Sequence, residues 1–449
     1  MKSLLLTNAL MMNEGRRYQG DLLIVDGRIE KIAAAIPARA TWNVRDLAGK
    51  WLLPGMIDDQ VHFREPGLMH KGTIASESRA AVMGGITSYM EMPNVSPPTT
   101  SRQALEGKFQ RAAEGSLANY SFYFGATNDN LEELKALPAD AACGVKVFMG
   151  ASTGNMLVDD ERILEAIFQH APGLVATHCE DTPTIKRNEA LWRERYGEQI
   201  PAAEHAAIRS VEACLLSSSR AVALAKKHGT RLHVLHITTA DELALFEPAP
   251  TLEALRRKTI TAEACIHHLY FNQDDYAALG HRLKCNPSVK GQEHQRALWQ
   301  AVKTGVIDII ATDHAPHLLA EKRNDYFSAP SGLPLVQHAL PALLDMCARG
   351  IFTPELIVRK TSHAVAERFQ IKDRGYIREG YWADLAVINP WKRASIEGSN
   401  IAYKCGWSPF EGHTLQGGVV ESTLVNGHLV WDGESVAGGI YGQALAFNR

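Results

Sequence analysis

The sequence predicts an α/β chain: a (β/α)8 TIM barrel with a small β-sandwich domain assembled from both chain ends. Three observations predict it. Between residues 56 and 365, short apolar runs alternate with helical patterns, giving eight strand–helix repeats. Residues 1–55 and 366–449 carry only short β-like pieces, too brief for a βα unit. Metal-binding residue types close successive strands: His62, Lys146, His178, His236 and Asp313 each end an apolar run. A doubly wound sheet would concentrate its site at one or two loops. Side chains converging from five strand ends fit a closed barrel better.

The elements follow in order. SLLLTNALMM, GDLLIVDGRIEKI and WLLPG read as strands, with a hairpin turn at Asp26-Gly27. The leading segment has a basic residue and an apolar stretch, but Thr7, Asn8 and Asn13 interrupt it. It reads as a strand rather than a signal peptide. After Pro54-Gly55 the strand candidates are MIDDQVHF (56–63), GITSYMEM (85–92), YSFYFGA (120–126), GVKVFM (144–149), GLVATH (173–178), RLHVLHI (231–237), TITAEAC (259–265) and VIDIIATD (306–313). Helical patterns such as TIASESRAAVMG, DERILEAIFQHA and EHQRALWQAVKTG lie between them. Beyond about residue 370, GYIREG, WADLAVINP and GGVVESTLVNGHLVWDG return to short strands, with turns at Asn426-Gly427 and Asp432-Gly433. Residues 391–418 have weak periodicity and are expected to form an irregular excursion.

Composition narrows the function class. The 449 residues are 45% apolar and 22% charged, with a net charge of -3, so nothing favours nucleic acid or a membrane surface. The length suits one large domain plus a smaller one. No run approaches the length of a membrane span. Seven cysteines are scattered without a CxxC pair, and their odd number argues against a disulfide framework. A reducing cytoplasm is the expected location.

Imidazoles and carboxylates are suitable zinc ligands. A lone histidine at a strand end is more often a hydrogen-bonded structural residue. Two of them, His178 and His236, joined by His62 and the TDHAPH segment, make a shared metal site the better reading. Lys146 has two readings that spacing leaves nearly even. A buried lysine can lose its charge and react with carbon dioxide to give an anionic carbamate, or it can form a salt bridge at the barrel mouth. Asp313 can bind metal and shuttle a proton, whereas its structural alternative is a helix N-cap. Gln60 stands where a His-x-His pair with His62 would complete a two-metal site, and is an additional candidate ligand. Asp58 and Gln60 share a strand face with His62, and Asp59 is expected to point away. Cys179 and the His267-His268 pair are expected to be structural.

The segments PGMIDDQVHFREPG, GGITSYMEMPN, KVFMG, HCE, LHVLHITT and IDIIATDHAPH followed by EK resemble the amidohydrolase superfamily, and within it the dihydroorotases. The resemblance runs from about residue 50 through 340. KDRGYIREGYWADLAVI is similar to the flanking sandwich domain of that family. The resemblance implies reversible hydrolysis of dihydroorotate to N-carbamoyl-aspartate, with one or two zinc ions per chain. It places His62, Lys146, His178, His236 and Asp313 on the family's metal ligands, with Lys146 as the N6-carboxylated bridging lysine. It places Arg64 and Asn94 on residues that hold the substrate carboxylate, His317 on another substrate contact and Asn286 on a ring contact. Gly332-Leu333-Pro334 is expected to form a loop over the mouth.

Two departures open alternatives. Gln60 replaces the first histidine of the family's Asp-x-His-x-His pattern, which allows a looser first metal shell, a single-metal site or altered activity. Lys290 in PSVK replaces a familial arginine and loses the guanidinium fork. The competing functions are a related allantoinase- or hydantoinase-like cyclic amidase, and a noncatalytic subunit supporting aspartate transcarbamoylase. A homodimer is the general expectation for such an enzyme.

Overall fold

The computed structural model describes residues 3–150 and 156–449. Its first strand, β1 (Ser3–Asn13), pairs antiparallel with β2 (Arg16–Val25), which pairs with β3 (Arg28–Ala33). Asp26 and Gly27 both take positive φ, 48° and 84°, the backbone that a tight two-residue hairpin needs. Strands β4 (Asn43–Asp46) and β5 (Trp51–Pro54) both run parallel to β1.

The barrel follows. Its strands are β6 (Met56–Val61), β7 (Ile86–Glu91), β8 (Asn119–Phe122), β9 (Phe124–Gly125), β10 (Val145–Phe148), β11 (Val175–His178), β12 (Leu232–Val234), β13 (Ile260–Cys265) and β14 (Ile309–Ala311). Every pairing among them is parallel. β8 and β9 occupy one barrel position, interrupted at Tyr123, whose hydroxyl donates to the Asp59 carbonyl at 3.0 Å. The ring closes where the His62 amide donates to the His314 carbonyl at 2.7 Å. β7, β8, β10 and β11 are buried along their whole length, and polar side chains they carry find partners inside, Glu91 with Lys108 and Asn119 with Asp384.

The helices start where the sequence offers caps. Thr73 and Ser76 form a capping box for the helix Ile74–Met83, Asp160 caps Glu161–His170, and Ser210 caps Val211–His228. At the barrel bottom the Phe369 ring packs edge-on against Tyr123 and His233, with centroids 6.3 and 5.8 Å away.

The chain then returns to the first sheet. β15 (Leu385–Asn389) pairs antiparallel with β5 on one side and with β18 (Val419–Val425) on the other. β19 (His428–Trp431) completes the order β19-β18-β15-β5-β1-β2-β3. Both chain ends therefore share one sheet. Residues 391–418 are largely irregular, but they hold a two-residue ladder between β16 (Ala394–Ser395) and β17 (Thr414–Leu415). Trp407 and Phe410 anchor this excursion, both buried, and the Trp407 indole donates to the His317 carbonyl at 2.8 Å.

Candidate active site

The C-terminal ends of the barrel strands surround a cavity with about 40 Å³ of free space. Gln60, His62 and Arg64 reach it from the end of β6, Asn94 from beyond β7, and Lys146 and Phe148 from β10. His178 ends β11, and His236 and Asp313 lie two residues beyond β12 and β14. Asn286, Ser331 and Gly332 complete the wall. This is the face on which TIM barrels carry their chemistry.

Three of these residues hold unusual backbone. Arg64, His236 and Asp313 have φ of 71°, 40° and 51°. Non-glycine residues rarely adopt this region, and such strain concentrates at functional sites.

The imidazoles are prepared as electron-pair donors. Burial holds His62, His178 and His236 below the usual histidine pKa, so all three are neutral near pH 7. His178 Nε2 is 2.9 Å from Glu180 Oε2, which also accepts from Arg209 Nη1 at 2.6 Å. Burial alone would raise the Glu180 pKa, but the Arg209 charge and the His178 bond bring it down to about 2. Glu180 is therefore a carboxylate, and His178 must donate through Nε2. Its Nδ1 lone pair is left facing His236 Nε2 at 3.0 Å. A carboxylate behind a histidine in this way fixes the tautomer a metal requires.

Asp313 Oδ1 lies 3.0 Å from His62 Nε2 and 3.1 Å from Gln60 Nε2. Gln60 therefore presents its amide nitrogen to the site. Its oxygen turns toward the Cys265 thiol, 3.7 Å away. The candidate ligand at position 60 acts in this geometry as a hydrogen-bond donor to Asp313. Burial lowers the Lys146 pKa to about 8, and its ammonium sits 4.6 Å from the Phe148 ring centroid.

Arg64 is 3% exposed and donates through Nε to the Pro316 carbonyl at 3.0 Å. Burial lowers its pKa to about 10, so it stays charged at neutral pH. Asn94 Oδ1 is buried without a hydrogen-bond partner among the described residues. His317, expected as a substrate contact, does not line the cavity. It stands behind Arg64, with Nε2 2.9 Å from Arg64 Nη2 and Nδ1 2.9 Å from Lys71 Nζ.

The remaining candidates fall outside the cavity. Asp58 is tied to Thr312 through its hydroxyl at 2.6 Å, and Asp59 faces His233 and Glu263. Neither stands in for the missing histidine. Cys179 is buried and its thiol is pushed up to about 11, which leaves it unreactive. Lys290 donates to Ser288 Oγ at 2.7 Å, behind the wall. Among the described residues, two tight groups of potential metal donors occur, His267–His268–Cys285 and Asp59–His233–Glu263, and both lie apart from the cavity lining.

Sequence reading passed over Glu180 and Arg209. The signal was present in HCE, where an acidic residue follows a candidate ligand by two positions. It also passed over His314, whose Nε2 is 2.9 Å from Glu77 Oε2 and whose Nδ1 accepts from the Leu335 amide at 2.8 Å. That histidine pins the Gly332–Leu335 loop beside the cavity. Among the described residues no helix is long and apolar enough to cross a membrane.

Residues 51–430 match the Amidohydrolase family. The chain is similar to the dihydroorotase of Halobacterium salinarum, 34% identical over 93% of this chain and 97% of that one. It is 32% identical to the dihydroorotase of Bacillus cytotoxicus, over 96% and 99% of the two chains. Among solved structures it is similar to the L-hydantoinase (dihydropyrimidinase) of Arthrobacter aurescens. That match has a TM-score of 0.91 and 26% identity over 99% of this chain and 100% of that one.

Proposed function

The chain belongs to the amidohydrolase family and is a metal-dependent cyclic-amide hydrolase of its dihydroorotase–hydantoinase branch, and from that premise we propose that it opens dihydroorotate reversibly to N-carbamoyl-aspartate. The observation that carries the choice of substrate is Arg64. A buried guanidinium at the cavity wall calls for an anionic partner, and a ring carboxylate supplies one. Asn94, with its unpartnered oxygen, adds a second polar contact on the substrate.

The donor set fits a metal. His178 offers the Nδ1 lone pair of a neutral ring 3.0 Å from Nε2 of the neutral His236 ring, and Asp313 adds a carboxylate oxygen beside His62. In the proposed site His62, Lys146, His178, His236 and Asp313 hold zinc, the ion suited to nitrogen and oxygen donors. Lys146, with its pKa near 8, has the neutral amine fraction that carbamate formation requires, and an N6-carboxylated Lys146 would bridge two ions. Because Gln60 turns its amide nitrogen inward, we propose one ion held firmly and a second held with a looser shell.

When bound, the divalent ion supplies Lewis acidity to polarise the ring carbonyl and make water a better nucleophile. The chain's own residues do the rest. Arg64 and the Asn94 amide nitrogen donate to the carboxylate and so orient the ring, and the unpartnered Asn94 oxygen is left to accept from a ring N–H. Asp313 accepts a proton from the attacking water and delivers it to the leaving ring nitrogen. The His62 and Gln60 contacts hold its carboxylate in place for both transfers.

Taken together, the comparisons back the wider alternative, a hydantoinase-like cyclic amidase, better than dihydroorotate alone. The structural match is to a hydantoinase, and the dihydroorotase relatives are only about one-third identical. The deciding experiment measures metals per chain on protein purified without chelator, together with turnover of dihydroorotate, dihydrouracil and 5-substituted hydantoins. Dihydroorotate turned over far faster than the uncharged rings supports the proposal. The reverse order would assign the chain to the hydantoinase-like reading.

A further inference from the structure

A second group of donors lies inside the barrel. β6 neighbours β7 and, across the closing seam, the end of β14. Asp59 on β6 nevertheless meets His233 on β12 and Glu263 on β13, so these side chains reach one another through the interior. All three are 0% exposed. The Phe369 ring, against His233, lies on one side. On the other side, Glu263 Oε1 accepts from the His236 amide at 3.1 Å and from the Cys265 thiol at 3.3 Å. The group thus sits directly beneath the cavity.

Its atoms are left without hydrogen bonds. Both oxygens of Asp59, Glu263 Oε2 and His233 Nε2 have no partner of hydrogen-bond geometry among the described residues. Buried polar atoms almost always find one, and each orphan is costly. The tautomer sharpens the conflict. Thr261 Oγ1 donates to the Leu232 carbonyl at 3.3 Å, so it accepts from His233 Nδ1 at 2.8 Å. A neutral ring would then aim its Nε2 electron pair at two acidic side chains. Burial works against charge here, but Asp59 and Glu263 hold the His233 pKa above the usual value and burial brings Glu263 itself up to about 7, so without an ion the group must keep protons to be tolerated.

We propose that Asp59, His233 and Glu263 bind a divalent ion of the zinc class in the barrel interior, at a site separate from the cavity. The spacing suits it. Four ligands at zinc's bond length lie about 3.3–3.5 Å apart at the corners of a tetrahedron. His233 Nε2 is 3.2 Å from Asp59 Oδ2 and 3.5 Å from Glu263 Oε2. The ion gives Asp59 Oδ2, Glu263 Oε2 and His233 Nε2 a partner at once, with Asp59 Oδ1, the fourth orphaned atom, available as a further donor. It also balances two buried acidic side chains that no lysine or arginine among the described residues pairs with. Being enclosed, the site would be filled as the barrel folds and would exchange slowly, so its role is to brace β6, β12 and β13 from within.

The test reads metal content rather than turnover, which keeps it independent of the catalytic reading. Metals per chain are measured on the wild type, on Asp59→Asn, on the cavity variant His178→Ala/His236→Ala, and on the three changes combined. Asp59→Asn is expected to lose one equivalent, and the cavity variant to keep one equivalent that the combined variant loses. Glu263→Gln replaces Asp59→Asn if the latter does not fold. A folded cavity variant free of metal would overturn the proposal. So would an Asp59→Asn protein with the wild-type metal count. A ¹⁵N spectrum showing both His233 ring nitrogens protonated in the protein as purified would also overturn it, because the group would then be an imidazolium between two carboxylates.

Discussion

Replacing Arg64 with lysine separates the two substrate readings. Lysine keeps the positive charge and meets the same backbone demand at φ 71°, so the change removes chiefly the planar fork. Arg64 Nε is already committed to the Pro316 carbonyl and Nη2 lies against His317 Nε2 at 2.9 Å, which leaves Nη1 for a ligand. Loss of one charge-assisted hydrogen bond to a carboxylate costs about 1.5–3 kcal/mol, which is roughly 10- to 150-fold in kcat/KM. Dihydrouracil, the same ring without the carboxylate, cannot make that bond. The assay compares kcat/KM for both rings in both proteins. Dihydroorotate should lose roughly 10- to 150-fold, and dihydrouracil should change by less than about threefold. Equal losses on both rings would refute the reasoning and make Arg64 a support for Pro316 and the adjoining loop. No loss on either would remove Arg64 from the site.

Other outcomes follow from the packing. Gly332 has φ 143°, and a Cβ there would lie 2.5 Å from the Ala315 carbonyl oxygen, so Gly332→Ala should push back the cavity wall and lower kcat/KM about 10- to 100-fold in steady-state assays. Lys108 pairs with Glu91 and donates to the Glu65 carbonyl at 2.8 Å, at 2% and 0% side-chain exposure for the pair. Lys108→Met should cost about 3–5 kcal/mol in urea unfolding, and adding Glu91→Gln should restore part of it. His338 Nδ1 lies 3.0 Å from both the Tyr403 and the Ser408 hydroxyls in a buried pocket, and burial lowers its pKa to about 3 from an ordinary 6.5. The unfolded chain then binds the proton first, so stability is full above pH 6.5 and declines as pH falls toward 3. At about pH 5 the loss is about 2 kcal/mol, and a His338→Gln protein should show a correspondingly flatter dependence of its urea midpoint on pH.

The barrel was legible because its strands are buried on both faces and its helices start at recognisable caps. GITSYMEM and GLVATH coincide closely with β7 and β11. The cavity was legible because ligand-type residues gather at strand ends in any barrel of this kind. What sequence did not reveal depends on side-chain direction. Gln60 was a candidate through its carbonyl oxygen, but Asp313 accepts from its nitrogen, and only the neighbouring carboxylate decides that. His317 lies near the cavity in sequence, but the Pro316 and Ser331 backbone sets it behind Arg64. The irregular segment 391–418 has no period to read because its placement rests on isolated anchors, Trp407 and Phe410. Asp59 was expected simply to point away from the ligand face. The register shifts between β6 and β7 reshape simple alternation there, and its partners come from strands far along the chain.

The pairing of β5 with β15 has a consequence for biosynthesis. Leu53 lies opposite Ala386, and the Gly55 amide donates to the Asp384 carbonyl at 2.8 Å. During translation the apolar β5 edge leaves the ribosome long before its partner is made. At ordinary elongation rates the interval is roughly 20–60 s, spent with an unpaired edge strand in solution. A premature stop before residue 385 would therefore do its damage at the opposite end of the chain. The barrel would be nearly complete, while the first strands synthesised would be left as an open template for aggregation.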